Sequence, residues 1–126
     1  MEPNVRLSSR QPGNNEKNSM PETSLIVLTT LPDPASAEDL AEKLIAENIA
    51  ACVNIMGEMT SIYRWQGKIH KGTEHQLMVK TTDKCYPRVQ ALIKDNHPYE
   101  LPEILAIPVA DGLPDYIDWV NTCTKN

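Results

Sequence analysis

Residues 51–81, ACVNIMGEMTSIYRWQGKIHKGTEHQLMVKT, decide the architecture. Ala51 to Trp65 is β-rich and broken only at Gly57, Gln66-Gly67 reverses the chain, and Lys68 to Thr81 returns as a second β stretch. The reading is a β-hairpin of unusual length, because strands of small domains commonly run to about 5–6 residues. Long unpaired edges invite pairing with other chains, so arms of this length call for cover, and an oligomer supplies it.

On the N-terminal side, Leu25-Ile26-Val27-Leu28 is a continuous apolar run without polar alternation, which predicts a central strand ending near Leu31 and covered on both faces. Asp33-Pro34 then starts a helix: the carboxylate caps it, and a proline in the first turn forfeits no hydrogen bond. Ala37, Leu40, Ala41, Leu44 and Ile45 keep helical spacing on one face, with Glu38, Asp39, Glu42, Lys43 and Glu47 on the other. On the C-terminal side, Thr82 or Asp83 is expected to cap a second helix carrying Tyr86, Val89, Leu92 and Ile93, which stops at His97-Pro98. Ile104 to Val109 reads as a fourth strand, placed at an edge or bulge by Pro108. Pro114 to Cys123 spaces Tyr116, Ile117, Val120 and Cys123 as a short amphipathic helix. The order βαββαβ plus α is an α+β, ferredoxin-like split βαβ arrangement.

The chain has 126 residues, enough for one core. Residues 1–23 carry three prolines and scattered apolar side chains and read as a mobile tail, leaving 24–126 as the folded domain. Twelve Lys plus Arg against seventeen Asp plus Glu give a formal charge of −5, which opposes the phosphate neutralisation on which nucleic-acid binding relies. No apolar stretch has the length of a signal or a membrane span, so a cytoplasmic protein is expected. Cys52, Cys85 and Cys123 are odd in number and far apart, which is not a disulfide framework.

Ser61-Ile62-Tyr63-Arg64-Trp65-Gln66-Gly67-Lys68, then Lys80-Thr81-Thr82, then His97-Pro98-Tyr99-Glu100-Leu101-Pro102-Glu103-Ile104 resemble the CutA divalent-cation-tolerance family in sequence, order and separation. Pro108-Val109, Tyr116 and Trp119 agree with it, and the resemblance spans about Ser24 to Cys123. It implies a homotrimer, an association with divalent cations and copper especially, and no established catalysis. The likeness of the family to the P-II proteins makes a trimeric sensor of a small anion or nucleotide the second reading. One family pattern places a cysteine at the end of the first strand and paired histidines before Pro-Tyr. This chain has Thr29 and Asn96-His97 there, which leaves His97 as the candidate metal ligand, with help from Glu103, Cys52 or another subunit, and implies no tightly bound metal. His97 also fits a structural role at the end of a helix. His70 and His75 lack metal-ligand spacing. Trp65, Lys80, Tyr99 and Glu103 are read as an intersubunit pocket, or as a network that fixes the trimer.

Rival chemistries lack their residues. A copper chaperone of this fold needs a C-x-x-C pair at the first strand–helix junction, where Thr29-Thr30-Leu31-Pro32-Asp33 stands. An RNA-recognition sheet needs stacking aromatics where Gln76-Leu77-Met78-Val79 has none. An acyl-phosphate hydrolase needs an anion-cradling loop with a positioned arginine after the first strand, and no Ser or Cys beside a His forms a catalytic motif. The sequence therefore reads as a binding and assembly protein whose partners are copies of itself and divalent cations, with neither nucleic acid nor membrane.

Overall fold

The computed structural model describes residues 22–124. Its elements are β1 (Ser24–Leu31), α1 (Pro34–Ala46), β2 (Cys52–Trp65), β3 (Lys68–Thr82), α2 (Tyr86–Asn96), β4 (Leu105–Pro108) and α3 (Pro114–Cys123). The strands form one antiparallel sheet in the order β2-β3-β1-β4, the ferredoxin-like arrangement with an added helix. The Pro108-bearing strand lies at an edge, where a missing donor costs no ladder bond. It begins at Leu105, one residue later than expected, and ends at Pro108.

The core lies between one sheet face and the first two helices. Val27, Leu31, Leu77 and Val79 meet Ala37, Leu40 and Leu44 of α1 and Val89 and Ile93 of α2, all buried. The apolar stripe read from the sequence of α1 is its packed face at Ala37, Leu40, Ala41 and Leu44, but Ile45, expected there too, is 41% exposed. Asp33 caps this helix as expected, accepting from Ser36 N–H at 2.8 Å. At its other end Asn48 takes φ 60°, so that Asn48 N–H reaches the Ile45 carbonyl at 3.0 Å and Ile49 N–H reaches the Leu44 carbonyl at 3.3 Å. That pairing ends the helix and drops Ile49 into the core beside Leu44.

Two expectations are corrected. First, β1 is fully covered on one face only: Val27, Thr29 and Leu31 are buried there, while on the other side, that of α3, Ser24 and Thr30 are buried but Ile26 and Leu28 only half-buried. Second, neither Thr82 nor Asp83 is the cap of α2. A turn over 82–85 intervenes, in which the Cys85 N–H donates to the Thr82 carbonyl at 3.2 Å and lies 3.4 Å from the Thr82 hydroxyl, and Cys85 stands at the N-cap. Asp83 Oδ1 instead accepts from Thr23 N–H at 3.1 Å, and Thr23 O accepts from Asp83 N–H at 2.8 Å. The break read at Gly57 stands in β2 as a shift of register. Met56 pairs with Gln76 but Met59 pairs with Glu74, so Gly57 and Glu58 share one place on the partner strand, a β-bulge. The tail expected over 1–23 lies outside the described residues apart from Glu22 and Thr23.

The bulge governs which side chains share a face. Before it, Cys52, Asn54 and Met56 share the face opposite the helices with Met78 and Lys80; beyond it, Met59, Ser61, Tyr63 and Trp65 take that face, opposite Glu74, Gly72, His70 and Lys68. The stacked rings of Tyr63 and His70, 5.6 Å apart, agree with this register. The hairpin closes through Gln66 (φ 51°) and Gly67 (φ 80°), the two positive φ values that a two-residue turn of matching twist requires.

Candidate functional site

The bulged arm and the segment after α2 enclose a cleft of about 980 Å³. Tyr63 and Trp65 line it from the arm, Glu74 from its base, and Tyr99, Glu100 and Glu103 from the segment. Glu74 ties these parts together. One of its oxygens, Oε2, accepts from Tyr99 OH at 2.9 Å and from Thr30 Oγ1 at 3.2 Å, linking β3, β1 and the 97–104 segment. Burial, with the Glu74 hydrogen bond and charge behind it, raises the Tyr99 hydroxyl well above its ordinary range, so it stays a donor.

His97 forms the second clasp. Its Nε2 lies 2.8 Å from the Thr30 carbonyl oxygen, and the Tyr99 backbone N–H donates to its Nδ1 at 3.1 Å. A carbonyl only accepts and an amide N–H only donates, so the ring is neutral with its proton on Nε2. Its ring also leans on Tyr99, with centroids 4.8 Å apart. Burial lowers the His97 pKa below 6.5 against the opposing pull of the Thr30 bond and the Glu74 charge. Protonation would also turn Nδ1 from an acceptor into a donor facing another donor.

Within one chain Trp65, Tyr99 and Glu103 line one cleft, and Lys80 does not join them. Lys80 lies six residues along β3 from Glu74, with its ammonium 5.7 Å from the Tyr116 ring centroid on α3. Glu74, Glu100 and Glu103 then face the cleft with Arg64 as the cation among its lining residues, which disfavours the anion or nucleotide reading. Cys52 pairs with Lys80, whereas Thr30 pairs with Gln76; at about 3.4 Å per residue, roughly 14 Å of strand separates Cys52 from the His97 end. Among the described residues no group of three or more His, Cys, Asp and Glu side chains is placed to hold a metal ion. A metal ion at His97 must displace the Tyr99 amide from Nδ1, or the proton and Thr30 carbonyl from Nε2. Sequence reasoning missed Glu74 and Thr30, which look like ordinary strand residues until the register brings them together.

A single antiparallel sheet with two helices on one face, a third on the other and a bulged hairpin arm over a carboxylate-lined cleft defines the class. The family model for the CutA1 divalent ion tolerance protein matches residues 25–123. The divalent-cation tolerance protein CutA of Thermus thermophilus is 44% identical over 99 residues, covering 79% of this chain and 96% of that protein. Among solved structures, CutA1 from Oryza sativa has a TM-score of 0.80 at 34% identity, covering 82% of this chain and 94% of that one. The periplasmic divalent cation tolerance protein CutA from Archaeoglobus fulgidus has a TM-score of 0.78 at 34% identity, covering 81% and 99%. The chain belongs to the CutA1 divalent ion tolerance family, which has no known catalysis.

Proposed function

We propose that this protein acts in divalent-cation tolerance as a cytoplasmic homotrimer without catalytic activity, binding copper weakly at its subunits. The observation that carries the assembly is the apolar surface left open on one chain. Ile62 and Ile69 are each 70% exposed on one face of the hairpin arm, while Leu105 is 57% and Ile107 47% exposed on the open face of β4. Among the described residues both sheet edges, β2 and β4, are unpaired. Pairing one edge with the other edge of a neighbouring copy is a head-to-tail contact that closes a ring, and the family resemblance supplies the number three. For the compartment, no helix among the described residues is long and apolar enough to cross a membrane, and no disulfide joins the three cysteines.

Copper reaches His97 only by breaking one of its two hydrogen bonds, and the ring has no neighbouring imidazole, because position 96 is asparagine. Weak binding follows, since affinity rises with the number and type of ligands. Parallel Cu(II) titrations of the protein lacking residues 1–23 and of its His97→Ala variant are expected to show weak binding that the substitution removes. Equal affinities in the two would locate any copper site away from His97.

A further inference from the structure

We infer that the cleft between the hairpin arm and the 97–104 segment binds an organic ammonium ion, a protonated primary amine carried on an aromatic or branched apolar group. At about 980 Å³ the cleft has the size of a small-molecule site. Three rings, Tyr63, Trp65 and Tyr99, and three carboxylates, Glu74, Glu100 and Glu103, line it. Among the described residues these carboxylates form no ion pair. Arg64, the cation of the lining, alternates with Tyr63 and Trp65 onto the other face of the arm. Negative charge and aromatic wall thus meet in one volume.

The placement of the charges decides between an organic cation and a metal ion. Among the described residues no three His, Cys, Asp and Glu side chains are gathered closely enough to hold one ion, so the carboxylates border a volume instead of coordinating a point charge. Aromatic faces add little for a tightly hydrated metal ion, whereas they attract an ammonium through the ring quadrupole and cover the apolar group that carries it. Tyr63 is 49% exposed and stacks on His70 at 5.6 Å, which holds its ring in place before a ligand arrives. Glu74 is the anchor: its bonds from Tyr99 and Thr30 both fall on Oε2, and Oε1 is left to accept an ammonium N–H. Those bonds fix the carboxylate in advance, so binding costs little of its side-chain freedom. His97 takes no part, so the inference stands independently of the copper reading.

Ile62 and Leu105 on the rim belong to surfaces proposed to meet another copy, so the test uses the full chain in its native assembly. Calorimetric titration with phenethylammonium chloride is expected to show one saturable site per chain. Phenethyl alcohol, the neutral analogue, should bind about tenfold more weakly, and phenylacetate, the anionic one, should not bind. Trp65→Leu, Glu103→Gln and Glu74→Gln, the last of which keeps an oxygen to accept from Tyr99 and Thr30, should each weaken the site about tenfold. Glu38→Gln, on the exposed side of α1, should leave it unchanged. Absence of saturable binding by the unaltered chain overturns the proposal. Equal binding of the alcohol would reduce the cleft to an apolar groove, and strong displacement by magnesium chloride but not by sodium chloride of equal ionic strength would make it a carboxylate cluster for metal ions; either result overturns it too. So does unchanged affinity in Trp65→Leu or in Glu103→Gln, and these two variants, at a half-buried and an exposed side chain, decide the matter even where Glu74→Gln fails to fold.

Discussion

Replacing both Ile62 and Ile69 by Asp is expected to convert the assembly to folded monomers. In the isolated chain each side chain is 70% exposed, so the substitution removes little buried apolar area and the core between the sheet and the first two helices is untouched. In an assembly that covers the arm, the same change desolvates two carboxylates without partners, which costs several kcal/mol per charge. The asymmetry is the diagnostic. Sedimentation should show a mass of one chain, while far-UV circular dichroism keeps its mixed α/β signature. A variant that retains the parental mass would mean that this face of the arm does not form the contact.

His97→Ala is expected to destabilise the protein by about 1–3 kcal/mol near pH 7.5, because it leaves the Thr30 carbonyl and the Tyr99 amide without their partner. The pH dependence separates the clasp from simple loss of packing. The folded state holds the imidazole pKa below 6.5. The unfolded chain therefore takes up the proton more readily, and the stability that neutral His97 provides is complete above about pH 6.5 and lost as the pH falls through the lowered folded value. The gap between the two proteins in urea unfolding should shrink on acidification below 6.5. A gap that stays constant from pH 7.5 to pH 5 would show that the ring acts only as a filler.

The sequence carried the element order, the packed face of α1 and the edge position of the strand with Pro108, because each follows from spacing or from a backbone restriction local to a few residues. What it did not carry was register. Counting alternately from Cys52 puts Ile62 and Arg64 with Met56, whereas the bulge at Gly57-Glu58 sends Tyr63 and Trp65 to that face instead. The same cause separates Lys80 from Trp65 and Glu103, since distance along β3 and not sequence motif decides who meets whom. Glu74 became the node of the site through two bonds that span 25 and 44 residues of chain, for which a local pattern holds no signal. The late start of α2 has a comparable origin, because Asp83 is engaged by Thr23 from the other end of the domain.

Light scattering of the purified full chain at micromolar concentration tests the assembly most directly. The predicted result is a single species of three times the 14.1 kDa chain mass, stable on dilution. A species of one chain mass under those conditions would contradict the trimer and leave the open face and both sheet edges without the partner proposed for them.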